Sequence, residues 1–155
     1  MSSLDGIEIM DEEGQQCFTC PELNPSMTQE LSPPLSEQVK TLIRIFTKLF
    51  NILGPGYSEK IYETAMGVEF RAENIPYQNQ VVIPIYYEKH YVGFHQVDYL
   101  VYDNILIEIK AVKWTNYMRE GSKSQLSRYL QTTGFMTGMV VNFGSDGVLN
   151  TEVVV

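Results

Sequence analysis

The stretch Ile105-Leu106-Ile107-Glu108-Ile109-Lys110-Ala111-Val112 sets a glutamate and a lysine inside what otherwise has the composition of a buried strand. Side chains along a strand alternate between two faces. Ile105, Ile107, Ile109 and Ala111 therefore share one face, and Leu106, Glu108, Lys110 and Val112 share the other. Glu108 and Lys110 stand about 6.6 Å apart along the strand, near enough to serve one site and too far for a tight ion pair. Taken alone, the stretch is read most simply as a half-exposed strand with a solvated polar face, because a buried and unpaired charge costs several kcal/mol.

The neighbouring sequence supplies partners. Residues 80–88, 91–102 and 105–112 are three strand-like runs joined by short turns at Lys89/His90 and Asp103/Asn104, the lengths expected of hairpins. A hairpin about Asp103/Asn104 sets Tyr102 opposite Ile105. It brings Asp98, flanked by Val97, Tyr99, Leu100 and Val101, beside Ile109 and within one position of both Glu108 and Lys110. A bulge or a slip of one residue decides which face Asp98 takes. Two carboxylates converging with a lysine make a hard-oxygen site suited to Mg²⁺ or Mn²⁺. A cross-strand salt bridge between Asp98 and Lys110 is the competing reading.

Helices flank the meander. Leu35, Val39, Leu42, Ile43, Phe46, Leu49, Phe50 and Leu53 recur at three- and four-residue spacing and mark an amphipathic helix that Gly54, Pro55 and Gly56 end. A second helix starts near Ser58 and fades at Asn74, Ile75 and Pro76. Beyond the meander, residues 118–133 read as a helix closed by Gly134, residues 138–143 as a strand, and residues 148–154 as a last strand. The expected class is α/β.

Among 155 residues the net charge is −8, which looks unsuited to nucleic acid until it is located. Eight of the 19 acids lie in residues 1–39, which hold no Lys or Arg, so the remaining 11 acids are matched by all 11 basic residues. Residues 1–34 are acidic, aperiodic and contain several Pro and Ser, and read as a mostly disordered leader ahead of a domain over residues 35–155. Within that domain Lys110, Lys113, Arg119, Lys123 and Arg128 are offset only by Glu120, a local basic excess whose competing reading is a solvated helix face. Cys17 and Cys20 lack the further ligands of a zinc site and the strand–helix setting of a redox pair, so two reduced thiols are expected. No long apolar run and no signal-peptide pattern is present, which points to a soluble intracellular protein, cytoplasmic or nuclear.

Three motifs carry a resemblance. Asp98 followed after nine residues by Glu108-Ile109-Lys110 resembles the D-x(n)-(E/Q)-x-K core of the PD-(D/E)XK nuclease superfamily, although Val97 stands where the superfamily's name has Pro. Gly56, Glu59 and Tyr62 in LGPGYSEKIYE are similar to the G-x-x-E-x-x-Y signature of its GxxExxY branch. Gln125 and Tyr129 in QLSRYL resemble the Q-x-x-x-Y helix motif of several branches, and residues 138–144 resemble the closing strand. His95 is an oddity that the resemblance does not explain.

The resemblance implies a restriction-endonuclease-like core, α-β-β-β-α-β in order, with a central mixed sheet flanked by helices. It implies a metal-dependent nuclease that hydrolyses phosphodiester bonds, of DNA before RNA. Asp98, Glu108 and the Ile109 backbone carbonyl would hold Mg²⁺ or Mn²⁺, with Glu59 acting through water. Lys110 would orient the attacking water and offset transition-state charge, braced by Gln125, with Tyr129 one turn away on the same helix face. Lys113, Arg119, Lys123 and Arg128 would meet phosphates. A catalytically inactive module on the same fold, binding nucleic acid or protein, is the alternative. The segregated charge suits the leader to cover the basic helix as a nucleic-acid mimic or to dock a protein partner, and a homodimer is compatible with the sequence.

Overall fold

The alternating stretch forms strand β3, Ile105–Lys110, at the centre of a five-stranded sheet. In the computed structural model of the protein, residues 33–155 are described; the expectations placed on the leader, the Cys17/Cys20 pair included, fall on residues 1–32 and lie outside the described residues. Helices α1, Leu35–Leu53, and α2, Glu59–Ala72, precede strands β1, Tyr77–Tyr87, and β2, His90–Val101. After β3 come helix α3, Asn116–Thr133, strand β4, Thr137–Phe143, and strand β5, Leu149–Val154. The spatial order is β1-β2-β3-β4-β5, with β3 and β4 parallel and every other pair antiparallel. The parallel pair needs a crossover, and α3 supplies it. The sheet is therefore mixed and flanked by helices, with α-β-β-β-α-β as its core order.

Each face of the sheet has its own core. Ile105, Ile107 and Ile109 join Tyr99, Val101, Met139, Val141 and Phe143 under α1 and α2, where Leu42, Phe46, Tyr62, Met66 and Phe70 complete the larger cluster. Leu106, on the opposite face, packs with Ile83, Val97, Leu100, Val140, Leu126 and Tyr129 in the smaller cluster beneath α3. Two glycines allow the helices to lie this close. A Cβ on Gly67 of α2 would meet the Tyr99 hydroxyl at 2.9 Å, and a Cβ on Gly138 of β4 would meet Leu126 of α3 at 2.7 Å.

Several boundaries differ from the periodicity. β1 begins at Tyr77 rather than residue 80, since Gln78 and Asn79 are polar but pair with Leu100 and Tyr99. The tight turn of the first hairpin is Glu88/Lys89, both with positive φ, rather than Lys89/His90. The second hairpin has Val101 opposite Ile105, one residue from the expected Tyr102–Ile105 pairing. Tyr102 and Asp103 adopt φ of 56° and 52°, which removes Tyr102 from the strand and lengthens the loop. β3 stops at Lys110, two residues early, because the chain turns away there. Helix α3 starts at Asn116, where the Thr115 hydroxyl accepts the Met118 N–H at 3.3 Å.

Candidate active site

β2 and β3 pair only through Tyr99–Ile107, Leu100–Leu106 and Val101–Ile105, whereas β3 stays paired with β4 as far as Lys110–Asn142. The two central strands thus part just before Asp98 and Glu108. Parting leaves strand N–H groups without their usual carbonyls, and a buried donor needs a partner. Asp98 provides one: its Oδ2 accepts the Ile109 backbone N–H at 2.7 Å. The face alternation of β2 also breaks here, because Val97 packs under α3 while Tyr99 packs under α2. Opposite Asp98 in β1, Gln80 has a φ of 53°. The one-residue register difference and this break settle Asp98 in the gap between the strands, tied to the Glu108–Ile109–Lys110 segment.

Glu108 is only 6 % exposed, and its Oε1 is a buried oxygen with no hydrogen-bond partner. Burial, then the Asp98 carboxylate, push its pKa up to about 8, with Lys110 pulling the other way. Asp98 is raised too, by burial first, against the opposing Ile109 hydrogen bond, with Glu63 and Glu59 adding to the rise. Two mutually repelling carboxylates in a partly dry gap are the setting in which a divalent cation replaces protons. Asp98 and Glu108 therefore fit such a cation by their chemistry, although no group of three or more His, Cys, Asp or Glu side chains is arranged to hold a metal among the described residues.

The two helices reach the gap with different chemistry. From α2, Glu59 is exposed and close enough to raise both carboxylates electrostatically. One turn on, Glu63 is buried; its carboxylate accepts Gln80 Nε2 at 2.7 Å and pairs with Lys60 at 3.3 Å, and its backbone carbonyl accepts the Tyr99 hydroxyl at 2.6 Å. Sequence reasoning passed over Glu63; the signal was its position four residues after Glu59, on the same helix face. From α3, Gln125 Nε2 donates to the Tyr129 hydroxyl at 2.6 Å, and Glu108 lies close enough to Tyr129 to help raise that phenol. Lys110 and Gln125 line an open cleft of about 640 Å³ together with Tyr117, Met118, Ser122 and Ser124.

Other expected site residues lie further out or are occupied. Lys113 is exposed in the loop between β3 and α3, and Arg128 is exposed on α3 beside a second groove it shares with Lys123. Arg119 is engaged by Glu152 of β5 through two hydrogen bonds, which raise its pKa, and Lys123 approaches the same carboxylate at 4.0 Å. Tyr62 is wholly buried, donating to the Gly54 carbonyl at 2.6 Å and stacked on Phe143 at 4.3 Å, so it braces the α1–α2 loop. Asn142 was not anticipated. Wholly buried, it exchanges hydrogen bonds of 3.0 Å with both the N–H and the carbonyl of Val112, holding the chain just past Lys110.

A mixed sheet whose central strands part around an acid, an E-x-K segment and two flanking helices defines a restriction-endonuclease-like α/β protein. The model of the PD-(D/E)XK nuclease superfamily matches residues 36–154, and the chain belongs to that superfamily. No curated protein matches the chain. A solved crystal structure, SSO0001, aligns with 61% of this chain and 48% of its own at 18% identity and a TM-score of 0.47, so the chain spans about half the length of that protein. No helix among the described residues is long and apolar enough to cross a membrane.

Proposed function

We propose that the chain is a metal-dependent nuclease of the GxxExxY branch, hydrolysing phosphodiester bonds of DNA in preference to RNA. The observation that carries this reading is the partnerless buried Glu108 oxygen beside Asp98, with Lys110 next along the same strand face. Asp98, Glu108 and the Ile109 carbonyl would hold Mg²⁺ or Mn²⁺, with Glu59 bound through water. When bound, the cation supplies Lewis-acid activation of a phosphate oxygen and of the attacking water. Lys110 positions that water and offsets the charge that builds on the phosphate oxygens as the new P–O bond forms and the bond to the leaving sugar oxygen breaks. Gln125, bonded to Tyr129, borders the same cleft, and Lys113, Arg119, Lys123 and Arg128 are its candidate phosphate contacts, Arg119 and Lys123 on release from Glu152. The superfamily membership, the site chemistry and the chain order of Glu59, Asp98, Glu108-x-Lys110 and Gln125 support the reading together.

The test is cleavage of single- and double-stranded DNA and RNA with Mg²⁺ or Mn²⁺, comparing the full chain with Asp98→Ala and Lys110→Ala. Loss of cleavage in both variants is expected. Activity that survives both overturns the mechanism, and binding without any cleavage replaces it with an inactive nucleic-acid-binding module.

A further inference from the structure

β1 and β2 remain paired from Tyr77–Val101 out to Tyr87–His90, but β3 accompanies them only as far as Tyr99. Residues 81–96 therefore form a two-stranded ribbon that extends beyond the site. Its α3-side face is fixed at the near end by Ile83, buried beneath α3, and by His95, which lies opposite Ile83 and has its ring 4.9 Å from that of Tyr129. Alternation along β1 carries Ile83's face through Ile85 to Tyr87, and the pairing sets Gly93 opposite Ile85 and His90 opposite Tyr87. The bulge between Ile85 and Tyr86 adds its extra residue to β2 and leaves this alternation in β1 intact.

The row starts at the site and becomes steadily more exposed. His95 is half-buried with no hydrogen bond among the described residues, Gly93 has open space where a side chain would be, and Tyr87 is 67 % exposed. Residues 77–97 contain one acid, Glu88 in the turn, so the ribbon does not repel a polyanion. Lys110 and Arg128 lie on the same side of the sheet, Lys110 lining the cleft and Arg128 the groove along α3.

We propose that this face of the β1–β2 ribbon holds the single nucleic-acid strand that runs into the cleft, with His95 contacting the phosphate next to the reacting one and Tyr87 and His90 stacking on bases further out. The proposal rests on the nuclease reading of the site and names its substrate as single-stranded or frayed nucleic acid. From His95 to Tyr87 the row covers four residues of strand, about 13 Å, or about four nucleotides of a stacked strand at 3.4 Å each. Phenol and imidazole rings suit bases of any sequence, and the bare Gly93 between them leaves the path flat.

The experiment measures fluorescence anisotropy of labelled single-stranded and duplex oligonucleotides with the full chain in chelator, so that nothing is cleaved. Wild type is compared with Tyr87→Ala, His90→Ala and His95→Gln; the first two are exposed in the fold and so spare its stability. Tyr87→Ala and His90→Ala are each expected to weaken single-strand binding by roughly 10-fold, the size of one lost stacking contact, His95→Gln to weaken it through the lost phosphate contact, and all three to change duplex binding little. Affinity should also fall for strands shorter than about four nucleotides beyond the cleft. Unchanged single-strand affinity in Tyr87→Ala and His90→Ala overturns the proposal even where cleavage by wild type upholds the nuclease reading. Altered sedimentation with unchanged affinity overturns it in favour of a protein interface. Weakened binding without cleavage by wild type supports the ribbon surface while the nuclease reading fails.

Discussion

The two faces of β3 differ by a single step of the chain yet have opposite characters. Ile105, Ile107 and Ile109 are buried in the larger cluster beneath α1 and α2, and the reverse face carries Leu106, then Glu108 and Lys110, beneath α3. The apolar face concentrates the burial that holds the fold together. That allows the other face to leave Glu108 with a partnerless oxygen, a local cost that a protein of marginal stability tolerates only when most of its core lies elsewhere. On the proposed function, stability and chemistry are separated across one strand, so that each side should break largely without the other.

The largest effect belongs to the charged face. Asp98→Ala and Lys110→Ala should each lower cleavage by about 10³-fold or more, as measured by initial rates, while in calorimetry Lys110→Ala stays close to the wild-type midpoint and Asp98→Ala falls only by the Ile109 hydrogen bond it gives up, offset in part by relief of its repulsion with Glu108. On the apolar face the balance reverses: Ile107→Ala should cost about 2–5 kcal/mol in urea unfolding, the range for truncating a fully buried aliphatic side chain. An equal loss of stability from Asp98→Ala would break the comparison.

The helices sharpen it. Gly138→Ala drives a methyl into the Leu126 side chain and should cost about 1–3 kcal/mol while displacing Gln125 and Tyr129, so cleavage should fall as well. Gly67→Ala meets the Tyr99 hydroxyl, the end of a side chain, and should cost about 1 kcal/mol, the value of the Tyr99–Glu63 hydrogen bond it disturbs. Denaturation and rates measured on both variants compare the two helix seats directly.

The most gradual effect, spread over several pH units, is the pH dependence of the metal-free protein. Glu108 keeps its proton to about pH 8 in the fold and releases it near the ordinary glutamate value of 4.5 when unfolded. The folded state binds more protons across that window, so stability falls as pH rises from about 4.5 to 8, with a slope of at most about 1.4 kcal/mol per pH unit. The raised pKa of Asp98 acts in the same direction. Glu108→Gln should flatten the slope measured by urea unfolding in chelator, and a Gln variant with the wild-type slope would remove Glu108 as its source.

Much of this protein is written locally. Alternation in Ile105–Lys110 separates an all-isoleucine face from one bearing Glu108 and Lys110, and three- and four-residue spacing marks α1 and α2, because both periods follow from backbone geometry within a few residues. The pattern of Asp98, Glu108 and Lys110 was legible through its resemblance to the superfamily's motif, which is spelled out along the chain. The hairpin register was not, because it turns on the left-handed conformations of Tyr102 and Asp103, which apolar spacing does not encode. Nor was the diversion of Arg119 and Lys123 to Glu152, which lies beyond a strand crossover, or the hold of Asn142 on Val112. By itself the sequence determined which elements form and which side chains carry charge. Only the tertiary structure decided which charges meet and which oxygen stays without a partner, because burial and pairing depend on residues distant in the chain brought together by packing.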